Sequence, residues 1–374
     1  MTVQPEIHDD SNSHVSVVTV TYNGAELVRA CLAGLSAQNL DGLAMDVVVV
    51  DNASQDGSAD LVASEFPDVR VIRSSTNLGF AAGNNLALAS IKTPLVILLN
   101  NDALPEPDFV ANLVRHMLGA APNVRAVAAR VLLSERVTAV APGTPGSISG
   151  PDGTWLPDPT GAVTLVNSTG NEMRADGYGL DRGWLANSDS HHPSRHVFGF
   201  SGAAAILRTD TFVELGGFDE RLFMYYEDTD LSWRLRRKGG RVEYCEQAVV
   251  HHIHSASSGE GSDFFRFHDH RNRLLVLAKN APPRLALTAP LRYVVTASSI
   301  ALRGSLSMSE RLSESRLRIR VLRSYLALLP HALRERRRVH KVATTSYQAI
   351  AKLFAPLGSG TDAPLRRAQE MDTP

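Results

Sequence analysis

Thr93-Pro-Leu-Val-Ile-Leu-Leu99-Asn100-Asn101-Asp102 decides the reading of this chain. Five apolar residues, Leu95–Leu99, run without a break and stop at two amides and a carboxylate. A run of that length suits a strand buried on both faces. Its polar end would put oxygens at the open edge of a sheet, where a hard divalent cation or a pyrophosphate binds readily. The plainer alternative is an Asx turn ahead of Pro105 and Pro107.

Upstream, the pattern predicts strands at Val15–Thr21, Asp46–Val50 and Val69–Ile72, alternating with helices at Ala25–Ala37, Ser58–Glu65 and Ala81–Ile91. Downstream come a helix at Asp108–Leu118 and a strand at Val124–Leu133. Strands spaced by such helices imply a parallel, doubly wound α/β sheet, with ligands at the carboxyl ends of the strands. The polar clusters Thr21-Tyr22-Asn23-Gly24, Asp51-Asn52-Ala53-Ser54 and Asn100-Asn101-Asp102 all fall at such ends.

Residues 134–196 are rich in Pro, Gly, Ser, Asp and Asn and predict an irregular surface excursion, with room for a short hairpin, that is either a lid or a disordered stretch. Order resumes with a strand at Gly202–Leu207, helices at Thr209–Leu215 and Asp228–Lys238, two short strands at Val242–Tyr244 and Ala248–His252, and a helix at Asp263–Lys279. The resulting division is a flexible 1–13, an α/β domain at 14–280, a helical extension at 281–356 and a disordered tail at 357–374. Eleven Arg or Lys fall between Arg303 and Lys341, against Glu310, Glu314 and Glu335, with Leu317, Val321 and Leu326 among the interleaved apolar residues. That pattern fits either a solvated basic face or a surface that settles on anionic lipid.

The net charge of −1 gives no global field for nucleic acid. Cys31 and Cys245 form neither a disulfide framework nor a zinc spacing and suit a reducing cytosol. The N-terminal MTVQPEIHDDSNSH lacks the features of a secretory signal. The longest apolar stretch, Leu285 to Leu302, is interrupted by Arg292. The expected location is the cytoplasm, with peripheral contact at the inner face of the cell membrane.

Four further motifs carry chemistry. Asp51 follows four valines and would accept hydrogen bonds from a ribose or a base edge, or else cap a turn. Asn77-Leu-Gly79-Phe-Ala-Ala-Gly83-Asn84 opens a helix whose amino end suits a diphosphate. Glu227-Asp228-Thr229-Asp230 starts a helix, where acids favour the dipole and a carboxylate is also placed to act as a general base. His251-His252-Ile253-His254 ends a strand, with His252 and His254 on one face; one imidazole there would join Asp102 on a cation.

In this order these pieces resemble the inverting family 2 glycosyltransferases of the GT-A fold, in their rhamnosyltransferase-like branch, from about Val15 to Leu277. The resemblance implies a Rossmann-like mixed sheet flanked by helices and a nucleotide-diphosphate sugar donor, with dTDP-rhamnose the first candidate. It implies that Asp51, Thr21, Tyr22, Asn23, Asn77, Gly79, Asn100 and Asn101 bind the donor. It implies that Asp102 and His252 hold Mn²⁺ or Mg²⁺, and that Asp228, with Glu227 beside it, is the base. The implied acceptor is a cell-wall or surface glycan or its polyprenyl-linked precursor. Asn100 departs from the family pattern, which has an acid there, so the site is less anionic. Two rivals remain: a non-catalytic nucleotide-sugar-binding subunit, and the same chemistry with a UDP-sugar.

Overall fold

The computed structural model describes residues 14–253, 262–302 and 307–357. Its elements run β1 (His14–Thr21), α1 (Ala25–Ser36), β2 (Ala44–Asp51), α2 (Ser58–Glu65), β3 (Arg70–Arg73), α3 (Gly79–Leu88), β4 (Leu95–Leu99), β5 (Ala103–Pro105), α4 (Phe109–Gly119) and β6 (Val124–Ala139). Then come β7 (Ile148–Ser149), β8 (Thr154–Pro157), β9 (Val163–Ser168), β10 (Asn171–Met173), β11 (Gly179–Asp181), β12 (His196–Val197), β13 (Ala204–Arg208) and α5 (Thr209–Glu214). The chain ends α6 (Glu227–Arg237), β14 (Arg241–His252), α7 (Asp263–Asn280), α8 (Pro283–Leu302), α9 (Met308–Val342) and α10 (Tyr347–Ala351).

The main sheet has the order β12-β14-β6-β13-β4-β1-β2-β3. β4, β1, β2 and β3 are parallel, as the periodicity implies. β13 then runs antiparallel to both β4 and β6, so the sheet is mixed. Alternation along β4 explains its unbroken apolar run. Leu95, Ile97 and Leu99 pack with α1 and α4 through Leu32, Leu35, Phe109 and Leu113. Val96 and Leu98 face the opposite layer, with Ala81, Ala87, Phe212 and Leu231. Each such fully buried side chain is worth about 1.5–3 kcal/mol.

Three expectations need correction. Residues 134–196 are not an irregular excursion. β6 continues to Ala139, and β8 and β9 pair with it antiparallel. The two short strands predicted near 242–252 are one strand, β14, with a register shift between Tyr244 and Val249. The sheet is mixed, which departs from the all-parallel reading of the periodicity and agrees with the mixed sheet the resemblance implies.

The C-terminal helices share a core with α6: its Trp233 clusters with Leu274 and Leu277 of α7, Tyr293 of α8, Val321 and Tyr325 of α9, and Ile350 of α10. Beneath it lies a charged knot. Asp230, with no exposed surface, accepts from Arg234 Nε at 2.8 Å, Lys279 Nζ at 3.0 Å and Asn280 Nδ2 at 2.7 Å. Lys279 also reaches Asp219 at 3.0 Å, and His331 of α9 stands 3.3 Å from the same carboxylate. Burial pushes the Asp219 carboxyl up, but the charge and hydrogen bond of Lys279 outweigh it and bring it to about 2. Its folded value is below the unfolded one of about 3.9, so this contribution is complete above pH 4 and is lost as pH falls toward 2.

Lys279→Met keeps the side-chain volume but leaves two carboxylates short of their cation. The expected cost is about 3–5 kcal/mol, read as a lower melting temperature and an acid-unfolding midpoint moved to higher pH. Wild-type values for both would show that the knot contributes nothing.

Candidate active site

The site forms where β4, β1 and β2 end. After Leu99 the chain turns, with Ala103 N–H donating to Asn100 O at 3.1 Å. β5 then pairs antiparallel with the last residues of β14, placing Ala103 opposite His252. Ile253 N–H donates to Asp102 O at 2.9 Å. Asp102 Oδ1 consequently lies 2.9 Å from His252 Nε2, both residues being buried. The two atoms approach without hydrogen-bond alignment, and Asp102 Oδ1 has no hydrogen-bond donor. His252 Nδ1 is 2.6 Å from Asn167 Oδ1 and Asn100 Nδ2 is 3.3 Å from Nε2. His254 lies outside the described residues.

These residues fit a divalent cation. Two ligands at about 2.1 Å and at right angles lie about 3 Å apart, close to the observed separation. An imidazole that donates through Nδ1 presents its Nε2 lone pair toward the carboxylate. No group of three His, Cys, Asp or Glu suited to a metal occurs among the described residues, so other oxygens would have to complete the shell.

The residues expected to meet a donor divide into those with an unpaired polar atom and those whose side chains hold the loops. Asp51 is buried and its Oδ2 accepts from Ser54 N–H at 3.2 Å, while Oδ1 has no partner. Thr21 Oγ1 accepts from Asn101 Nδ2 at 3.0 Å. Gly24 faces that amide so closely that a Cβ would sit 2.6 Å from it. Tyr22 is exposed. Asn23 ties two loops, accepting from Gln55 N–H at 2.8 Å through its side chain. Asn77 caps its own turn by accepting from Gly79 N–H at 2.9 Å. Gly79 has φ +76°, and Phe223 leaves no room for a side chain there. A cleft of about 710 Å³ lined by His14, Asp46, Arg70 and Lys92, among others, lies at the opposite, amino edge of the sheet.

Asp228 opens α6 on the other side of β13. Its Oδ2 accepts from Gly202 N–H at 2.9 Å, and Oδ1 accepts from Thr229 N–H at 2.5 Å. The next residue, Ala203, accepts from Asn100 N–H at 2.9 Å, so Gly202-Ala203 links the two halves of the site. Burial pushes the Asp228 carboxyl up, partly opposed by these hydrogen bonds. Burial, then the Asp228 charge, push Glu227 well above the ordinary carboxylate range. Glu227 Oε2 has no partner.

The approach to α6 is strained: Phe223, Tyr225 and Tyr226 have φ of 68°, 69° and 68°, a region costly to residues with side chains. Asn272 of α7, with no exposed surface, holds this turn. Its Nδ2 lies 2.8, 2.8 and 2.7 Å from the carbonyls of Leu222, Met224 and Tyr225. The sequence reading missed Asn272; its only signal is an amide amid the apolar residues of a helix. It also missed Asn167 and Gly202, which carry no local signature.

The architecture is that of the GT-A glycosyltransferases. It matches the structure of GalNAc-T7 with UDP, GalNAc and Mn²⁺ at a TM-score of 0.53 and 13% identity, over 85% of this chain and 56% of that one. Residues 16–133 match the family model "Glycosyl transferase family 2". Among curated proteins the chain is 28% identical to the N-acetylglucosaminyl-diphospho-decaprenol L-rhamnosyltransferase of Mycobacterium tuberculosis, over 81% of this chain and 95% of that protein. It is 23% identical to the O-antigen chain rhamnosyltransferase RfbN of Salmonella typhimurium, over 75% and 87%. Residues 16–133 are thus similar to the family 2 glycosyltransferases, and most of the chain is similar to rhamnosyltransferases of that kind.

Replacing Asn272 by Ala frees the strained turn. The expected result is a fall in kcat for sugar transfer of tenfold or more, with the thermal shift on donor binding retained. Unchanged kcat in a folded variant would mean that the turn holds itself.

Proposed function

We propose that this chain moves one sugar, with inversion, from a nucleotide-diphosphate sugar to a hydroxyl of a lipid-linked glycan. One observation carries the reading. Among the described residues, the buried side-chain carboxylate oxygens without a hydrogen-bond donor belong to Asp51, Asp102 and Glu227. All three lie in this site, and leaving such a group unsatisfied costs about 1–3 kcal/mol. Ribose hydroxyls, a cation and an acceptor hydroxyl are the groups that would satisfy them.

In this reading Asp228, held by Gly202 and Thr229, takes the proton of the acceptor hydroxyl as its oxygen bonds to the anomeric carbon. The bond from that carbon to the diphosphate breaks on the opposite face, so the nucleoside diphosphate leaves and the centre inverts. Asp102 and His252 would hold Mn²⁺ or Mg²⁺, whose charge would stabilise the leaving diphosphate. Asp51 and the Thr21–Asn101 pair would receive the nucleoside, with Tyr22 at the rim. Asn23 and Asn77 would act by shaping the loops. dTDP-rhamnose is the first donor to test, on the names of the curated relatives; UDP-sugars are the second.

The acceptor suggests a membrane-side location. On the outer face of α9, Leu312, Ile319, Leu326 and Leu333 are exposed at seven-residue intervals among Arg316, Arg320, Arg323 and Arg334. No helix among the described residues is long and apolar enough to cross a membrane. We infer peripheral contact with the inner leaflet through this face.

Asp228→Asn is expected to keep the fold and the donor-induced thermal shift while kcat falls at least a thousandfold; wild-type turnover would remove the base assignment. Asp102→Ala or excess EDTA should abolish transfer and weaken donor binding, and unchanged activity in EDTA would remove the cation. In wild type, kcat should fall as acid protonates Asp228, at a pH above that of an ordinary Asp carboxyl, because burial raises it.

Replacing Arg316, Arg320 and Arg323 together by Gln should release the protein from anionic vesicles in a sedimentation assay, at about 1 kcal/mol per charge. Equal binding by the triple variant would place the contact elsewhere.

A further inference from the structure

The segment that the sequence presents as an excursion carries two buried amides, and they meet opposite ends of the site. β9 lies on one side of β6 and the end of β14 on the other. Asn167 and His252 therefore approach across β6, closing to 2.6 Å between Oδ1 and Nδ1. Four residues later Asn171 exchanges backbone hydrogen bonds with Gly199, at 2.8 and 2.9 Å. Gly199 is pressed on Ser232 of α6, so a Cβ there would come within 2.7 Å of its hydroxyl. The Asn171 Nδ2 also lies 3.4 Å from Thr229 Oγ1, in the first turn of that helix.

The turn between the two amides is fixed. Ser168 and Thr169 have no exposed surface. Arg182, itself buried, donates to Thr169 Oγ1 at 3.0 Å and to Thr169 O at 2.7 Å, and its remaining nitrogen donates to Ser194 O and His196 O. Gly170, with φ +104°, passes so close to the Gly199 carbonyl that a Cβ would sit 2.8 Å from it.

We propose that residues 167–171 form a positioning strap, in which Asn167 fixes the His252 ring with Nε2 toward Asp102 and Asn171 holds the first turn of α6 at Asp228. The assignment deepens the proposed function and rests on it for what the two centres do. The strap explains why a loop-like composition is built into the sheet: its polar residues are spent on buried partners. Burial pushes the Asp228 carboxyl up, and the hydrogen bonds from Gly202 and Thr229, with the Asn171 amide close by, pull it part of the way back. The charged groups around it are Glu227 on the same turn and the Asp230–Arg234–Lys279 set one turn on.

The test uses the full chain and two readouts that need no turnover. Mn²⁺ is titrated by electron paramagnetic resonance, alone and with UDP or dTDP. Asn167→Leu should weaken Mn²⁺ by tenfold to a hundredfold, and Asn167→Asp, which keeps an acceptor for Nδ1, should restore most of it. The Asp228 side-chain carboxyl is followed by ¹³C resonance against pH, assigned with Asp228→Asn. Asn171→Leu should move its midpoint to higher pH and leave Mn²⁺ affinity unchanged. Circular dichroism and melting curves establish that each variant folds.

Wild-type Mn²⁺ affinity in Asn167→Leu, or no saturable Mn²⁺ binding in the wild type, overturns the first half of the strap. An unmoved midpoint in Asn171→Leu overturns the second. If both shifts occur while no donor is consumed, the strap stands and the transferase reading falls.

Discussion

Everything at this site depends on a three-residue strand. β5 adds antiparallel to the end of β14, and that pairing sets residue 103 opposite residue 252. Without it, the carboxylate after β4 and the imidazole at the end of β14 would sit at unrelated sheet edges. The pairing is possible because β13 runs antiparallel between β4 and β6. That inserted strand lets β6 and β14 run beside the parallel half, with their carboxyl ends near those of β4 and β1. The register is well specified, because Val250 is buried on one side and His252 is held by Asn167 on the same side chain face. A slip of one residue would point the imidazole away from Asp102.

The other half of the site is held under strain. Three residues with side chains adopt left-handed backbone just before Asp228, which costs of order 1–3 kcal/mol each. The compensation comes from outside the α/β sheet. Asn272 gathers three carbonyls of the turn, and Arg271 donates to the carbonyls of Arg221 and Leu222. Both residues belong to α7, which the C-terminal helices cover. The shared core around Trp233 and the Asp219–Lys279–Asp230 knot then fasten α7 to α6. The helices after residue 280 thus bear on the geometry of the general-base candidate, although the sequence presents them only as an extension.

What was legible followed the reach of local physics. The buried run Leu95–Leu99 and the valines before Asp51 announce parallel strands, because a strand covered on both faces has to be apolar throughout. The amides and acids that follow announce a polar edge. The antiparallel β13 was not legible, since Ala204–Arg208 has the same composition whichever way it runs. Residues 134–196 misled because Pro, Gly and Asn usually mark solvent-facing turns. Here Asn167, Ser168, Thr169 and Asn171 are all buried: Asn167 and Asn171 meet His252 and Thr229 far along the chain, Thr169 is held by Arg182, and Ser168 closes on Gly170. The strand β14 looked like two because Glu246 and Gln247 interrupt its pattern where the register shifts. Asn23 and Asn77 show the limit in the other direction: the sequence offers them as binding residues, but their side chains hold backbone.

The unsatisfied acids give this arrangement its thermodynamic sense. Asp51, Asp102 and Glu227 each bury an oxygen that no donor meets, at about 1–3 kcal/mol apiece. A fold selected only for stability would have paired or removed them. Their neighbours instead keep them aimed: Ser54 holds the other oxygen of Asp51, Ile253 fixes the backbone of Asp102, and Asp228 sits beside Glu227. On the proposed function, donor, cation and acceptor would satisfy these oxygens together. Ligands that satisfy these oxygens bind the folded state alone and stabilise it by mass action. Because Asn100 supplies an amide where a second acid would stand, Asp102 brings a single negative charge to the cation. On the proposed function the donor diphosphate would have to supply the rest, and the cation would then gain its full affinity only with the donor in place.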